Sequence, residues 1–177
     1  MRRVIEIHDP PRRALLLALQ SHAPADPEEE RDRALLISLV STVERCFDRG
    51  TYAPGHVTGS AFVICRQTRQ VLLHHHRRLD RWLQLGGHDD GELDPKMTAL
   101  REAGEESGLT DLELLSPDIL DVDVHLIPPS RGEPQHRHHD VRYALETKQP
   151  DAIKRQDAES LALAWFDLDE AARRMGE

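Results

Sequence analysis

The segment Gly86–Leu109 reads GGHDDGELDPKMTALREAGEESGL. It opens on two glycines, runs through an acidic loop and closes on a helical pattern. Asp94 suits an N-cap, Pro95 the first helical position and Gly108 a C-terminal stop. A helix over about residues 94–107 follows, and it places Glu102, Glu105 and Glu106 within an arc of roughly 100°. The segment holds seven acidic and two basic residues, so −5 of the chain's net charge of −9 sits here. Like charges one helical turn apart repel by a few tenths of a kcal/mol, and by more where water is scarce. A hard divalent cation removes that cost. Mg²⁺ and Mn²⁺ take oxygen ligands, often a few carboxylates together with substrate phosphates. Arg101 lies one turn before Glu105 and is placed to fix its rotamer. A solvated acidic face is the plain alternative, but two features argue against it. Gly86-Gly87 lets backbone approach a ligand closely. Gly104 costs about 1 kcal/mol relative to alanine inside a helix, a local cost that often accompanies function or tight packing.

Upstream of this segment the pattern is β-like. Val57–Cys65 is rich in β-branched and small residues, and a turn at Arg66-Gln67-Thr68 leads into Val71–His75, which predicts a hairpin. Trp82–Leu85 reads as a short strand before the glycines. Downstream, Leu120–Leu126 alternates apolar and polar residues, as does His138–Glu146. Ala162–Phe166 reads as a last strand and Asp167–Met175 as a closing helix. The N-terminal 55 residues differ. Arg12–Ser21 reads as a short helix. Asp26-Pro27 reads as a cap and first turn, followed by a helix over 27–49 that stops at Gly50. The expected organisation is a helical extension over 1–55 and an α+β domain over 56–177.

The chain has 177 residues, which suits one domain with an appendage. Its 23 Lys and Arg against 32 Asp and Glu argue against binding a nucleic-acid polymer or an anionic membrane. The apolar run Ala14–Leu19 falls far short of the roughly 20 residues of a membrane span and lacks a cleavage site. Cys46 and Cys65 are too few for a disulfide framework. These features predict a cytoplasmic protein.

The segment resembles the Nudix box, G-x5-E-x7-R-E-U-x-E-E-x-G-U with U a bulky aliphatic residue. Arg101, Glu102, Glu105, Glu106, Gly108 and Leu109 match its second half. Ala103 stands where a bulky residue is expected. In the first half, eight residues rather than seven separate Glu92 from Arg101, so counting from Arg101 puts Gly87 at the glycine and Leu93 at the glutamate. This reads as a one-residue shift in the loop before the helix. The resemblance covers about residues 56–177. It implies an α/β/α sandwich on a mixed sheet. It also implies Mg²⁺- or Mn²⁺-dependent hydrolysis of a pyrophosphate bond in a nucleoside diphosphate joined to another group. Glu105, Glu106 and the Gly87 carbonyl are then metal ligands, Glu102 a further ligand or the base, and Arg101 the group that orients Glu105. Divalent metal neutralises the diphosphate and activates water, and a general base adds about 10²–10⁴-fold. In some Nudix enzymes the base comes from another loop, and Glu159 is the candidate for that here.

The substrate side is read from the residues. Arg77, Arg78 and Arg81 precede the glycines, where an arginine can grip a phosphate bidentately; a solvated basic loop is the alternative. Thr58 and Ser60 are either cleft residues or ordinary strand residues. His138, Asp140 and Arg142 share one strand face and are candidates for lining the pocket. His139 shares the opposite face with Val141 and Tyr143, as a core histidine would. A zinc site among His136, His138, His139 and Asp140 is a minor alternative, and His74-His75-His76 alternate faces too strictly to share one ion. A nucleotide-type small molecule is the expected partner. A homodimer through the apolar stripe of helix 27–49 is a further option. Two competing functions stay open. One is a nucleotide-binding or regulatory domain without catalysis, which the three intact glutamates disfavour. The other is isoprenoid diphosphate isomerisation, for which Cys65 is the one nearby thiol. The SQPWPFPxS motif associated with NADH pyrophosphatases is absent.

Overall fold

A computed structural model describes residues 7–130, 132–154 and 160–176. The element order is α1 (Pro10–Ser21), α2 (Pro27–Thr42), β1 (His56–Cys65), β2 (Gln70–His76), β3 (Arg81–Leu83), β4 (Leu85–His88), α3 (Pro95–Ser107), β5 (Glu113–Leu114), β6 (Asp121–Ile127), β7 (His136–Glu146), β8 (Ser160–Phe166) and α4 (Leu168–Met175). The strands form one mixed sheet: β1 and β7 run parallel, and the other pairs are antiparallel. No helix among the described residues is long and apolar enough to cross a membrane.

Alternation along β1 assigns the two faces. Val57, Ala61 and Val63 join one apolar cluster with Ala99 and Ala103 of α3. Phe62 and Ile64 join another with Ala171 and Met175 of α4. Helices therefore cover both faces, the expected α/β/α sandwich. Leu15, Leu19, Leu36, Leu39 and Val40 of α1 and α2 belong to the same cluster as α3, so the N-terminal helices share the domain's core. Arg12 pins α1 to the end of α2, donating from Nε and Nη2 to the Val40 carbonyl at 3.0 and 2.8 Å. Asp26 caps α2 as its sequence predicts, accepting from the Glu28 and Glu29 amides.

Two expected elements are corrected. The helix expected over 27–49 ends at Thr42, and Val43 is extended at φ −105, ψ 110. The turn that follows carries Cys46 and Phe47 into the core, and the Cys46 carbonyl accepts the Val57 amide at 2.7 Å. The strand expected over Trp82–Leu85 is two strands with different partners. β3 pairs with β2, and β4 pairs with β1. Gln84 sits at the crossing.

Candidate active site

α3 is held at both ends by local chemistry. The Asp94 side chain accepts from the Lys96 amide, and Gly108 ends the helix at φ 70, where a residue with a Cβ is strained. The helix lays Thr98, Ala99, Ala103 and Ser107 against the sheet, all fully buried. Ala103 is thus small where a bulky aliphatic was expected, and it lies at the helix–sheet contact.

The remaining face carries the carboxylates. Arg101 gathers two of them, Glu102 and Glu105. Its Nη1 lies 3.0 Å from Glu102 Oε1 and 3.1 Å from Glu105 Oε2. Its Nη2 donates to the His88 carbonyl at 2.7 Å. Burial alone would lower the pKa of this guanidinium, but Glu102 and Glu105 outweigh it and hold it above its ordinary value. Glu102 lies against β4: a Cβ built on Gly87 would stand 2.7 Å from the Glu102 carboxyl carbon. A side chain at residue 87 would push the Glu102 carboxylate away from the backbone. Glu106 is buried and accepts the Gly86 amide on Oε2 at 2.9 Å. Its Oε1 lies 3.3 Å from His74 Nδ1. Burial lowers the His74 pKa to about 4, so this ring is neutral. His74 Nδ1 also lies 2.9 Å from the Ser160 hydroxyl. Glu105 is the open member of the trio, its side chain 62% exposed. Helix α3 thus carries three carboxylates beside the Gly86-Gly87 backbone, oxygen donors of the kind that suits Mg²⁺ or Mn²⁺.

The loop before α3 absorbs the extra residue of the box. Asp90, Gly91 and Leu93 all have positive φ, at 45, 99 and 55°. Glu92 is exposed in this loop.

The opposite sheet face carries a polar network. Asp140 is buried and accepts from Thr58 Oγ1 at 2.8 Å, Ser60 Oγ at 2.5 Å and Gln84 Nε2 at 3.2 Å. Arg142 Nε lies 3.3 Å from the same carboxylate, Nη1 2.7 Å from Asp121 and Nη2 3.1 Å from Asp123. Burial opposes its charge, but Asp140, Asp123 and Asp121 raise its pKa. The structure therefore joins Thr58, Ser60, Asp140 and Arg142, with each polar group engaged by another. His138 shares their face and lies among imidazoles, with ring centroids 4.9 Å from His56, 5.1 Å from His136 and 5.0 Å from His88. Burial, then the neighbouring rings, push the His138 pKa down. His139 is buried with Val141 and Tyr143, on the core side as expected.

Arg77 is exposed after β2. Arg78 donates to Glu133 at 3.2 Å and to the Pro128 carbonyl at 2.8 Å, and Arg49 reaches the same glutamate at 3.4 Å. Arg81 donates to the Met175 carbonyl at 2.7 Å. Glu159 lies outside the described residues. A surface depression of about 560 Å³ at Ile64, Arg66 and Asp167 lies at the far end of β1 and holds none of these groups.

Sequence reasoning missed His56, His74 and His88 as neighbours of the site. Alternation along β2 puts His74 on the side of Leu72, facing α3. Nothing local reveals that α3 sets Glu106 opposite it. His56 and His88 gain their meaning only from the pairing of β1 with β4 and β7.

A family model of the NUDIX domain matches residues 55–177. Among solved structures, the chain is similar to an Ap4A hydrolase of C. elegans in a binary complex. That likeness has 17% identity and a TM-score of 0.55, over 68% of this chain and 86% of that one. The chain is also similar to the dihydroneopterin triphosphate pyrophosphohydrolase of E. coli, at 20% identity and a TM-score of 0.55 over the same shares. These likenesses show the fold. No curated protein sequence matches the chain.

Proposed function

The chain belongs to the NUDIX family of pyrophosphohydrolases, and from that premise we propose that it cleaves a pyrophosphate bond in a nucleoside diphosphate joined to another group. The observation that carries this reading is the pairing of Arg101 with Glu102 and Glu105, with Glu102 and Glu106 closed against the Gly86-Gly87 backbone. Glu105, Glu106 and the Gly87 carbonyl would hold Mg²⁺ or Mn²⁺, with Glu102 as a further ligand or as the base. The bound ion would neutralise diphosphate charge and make water a stronger nucleophile.

The chain's own residues do the rest. Arg101 keeps Glu102 and Glu105 in one geometry, so little reorganisation is needed when substrate arrives. Glu106 is fixed by the Gly86 amide and faces the neutral His74 ring. If Glu102 takes a proton from the attacking water, its 3.0 Å contact with Arg101 Nη1 fixes where that carboxylate stands. Glu159, which precedes β8 in sequence, stays a candidate for the base. Arg77 and Arg78 are proposed to meet the outer phosphates, and Arg78 would exchange its Glu133 contact for one. His138, Asp140 and Arg142 are proposed to form the floor beneath the substrate, with Asp140 and Arg142 stiffening it. Residues 56–177 would be the catalytic unit, and the helices of residues 1–55 its buttress.

Incubating the protein with Mg²⁺ and a panel of nucleoside triphosphates, nucleotide sugars, ADP-ribose and dinucleotides tests this reading. Release of a nucleoside monophosphate or diphosphate supports it. Tight binding of a panel member that is never cleaved opposes it.

A further inference from the structure

We propose that His56, His136 and His138 form a binding site for one borderline transition-metal ion of the Zn²⁺ class, separate from the carboxylate centre on α3. One ring nitrogen from each residue lies within 4.8 Å of those of the other two. The three come from adjoining parallel strands. His56 pairs in register with His138, and His136 lies two residues away on the same face. The ring centroids form a near-equilateral triangle with sides of 5.1, 4.9 and 5.1 Å.

The hydrogen bonds set the tautomers. His136 Nδ1 lies 2.8 Å from the Pro134 carbonyl, and His56 Nδ1 lies 3.2 Å from the Thr51 carbonyl. A carbonyl only accepts, so both Nδ1 atoms carry the proton and both Nε2 atoms present a lone pair. This is the usual outer support of a metal-bound histidine. His56 is 1% exposed, and its Nε2 has no hydrogen-bond partner. A buried acceptor left in that state costs about 1–3 kcal/mol. His136 Nε2 stands 3.3 Å from His138 Nε2. Two nitrogens bound to one tetrahedral Zn²⁺ at about 2.0–2.1 Å are separated by roughly 3.3–3.4 Å, the same spacing.

The ligand type selects the ion. Imidazole suits Zn²⁺, Cu²⁺, Ni²⁺ and Co²⁺, whereas Mg²⁺ and Mn²⁺ prefer oxygen. The two centres therefore differ in chemistry. His88 borders the cluster, with centroids 5.1 Å from His56 and 5.0 Å from His138, and a water can complete four-coordination. His125 lies farther off, its ring centroid 5.6 Å from that of His138. An ion here would join β1 and β7.

The test uses the full chain, stripped with a chelator and held in excess Mg²⁺. It is titrated with Co²⁺ and, separately, with Zn²⁺. The proposal expects one equivalent of Co²⁺ to bind with the intense visible absorption of a four-coordinate, nitrogen-ligated ion. One equivalent of Zn²⁺ should displace it. His136→Ala and His138→Ala should each weaken Zn²⁺ binding by more than about 100-fold. Glu105→Gln should leave it unchanged. Circular dichroism of the metal-free variants checks folding, and the wild-type Co²⁺ spectrum decides the matter if a variant does not fold. Weak octahedral absorption or no uptake overturns the proposal. So does Zn²⁺ binding that survives His138→Ala and vanishes in Glu105→Gln.

Discussion

Arg101 Nη2 donates to the main-chain carbonyl of His88 at 2.7 Å, tying α3 to the end of β4. The same guanidinium holds Glu102 and Glu105 from its other amine. One side chain therefore fixes Glu102 and Glu105 relative to the end of β4. Lysine has one ammonium and cannot span three acceptors in this fork. Arg101→Lys is expected to reduce kcat by roughly 10²-fold, the cost of a displacement of about 1 Å at a reacting centre. The unfolding midpoint should change little. Steady-state kinetics with urea unfolding on the same preparation separates the two effects. A large loss of stability with unchanged kcat would make Arg101 a purely structural residue.

Arg142 faces three carboxylates, with its side chain 12% exposed. Removing it leaves Asp121, Asp123 and Asp140 without their shared cation. Breaking a buried ion pair from one side costs about 3–5 kcal/mol. Arg142→Met should lower stability by that order in urea unfolding, and Arg142→Lys by less. Equal stability of Arg142→Met and wild type would contradict the account of this network.

Cys46 and Cys65 are both fully buried. Burial pushes the Cys46 thiol up from 9.0 to about 11. The folded pKa is raised, so the contribution to stability is complete below about pH 9 and is lost as pH rises towards 11. A thiol reagent such as DTNB at pH 8 should leave the native protein unmodified and should label two thiols after denaturation. Rapid labelling of the native protein would show that this part of the core opens readily.

Helix α3 was legible because its signals are local. Asp94, Pro95 and Gly108 mark its ends, and Glu102, Glu105 and Glu106 share a face by period alone. Asp26-Pro27 likewise announced α2. The end of α2 was not legible, because Cys46 and Phe47 leave the helix to fill a core built from distant strands. The division of residues 81–88 into two strands was hidden for the same reason. Trp82 and Leu85 read as one run, yet their partners are β2 and β1. The sheet face of Asp140 and Arg142 followed from alternation, but the groups saturating them, Thr58, Ser60, Gln84, Asp121 and Asp123, come from three other segments. The imidazole cluster shows the limit most sharply. His56, His88, His136 and His138 span 83 positions of sequence, and only the register of β1 with β4 and β7 brings them together.

The central claim concerns the carboxylates of α3, and turnover of wild type, Glu105→Gln and Glu106→Gln on the nucleotide panel tests it most directly. Each is assayed with Mg²⁺, with Mn²⁺ and with metal withheld. The account predicts cleavage by the wild type only when metal is present, and a loss of more than about 100-fold in both variants with folding retained. Cleavage that persists without divalent metal, or that survives both substitutions, would contradict it.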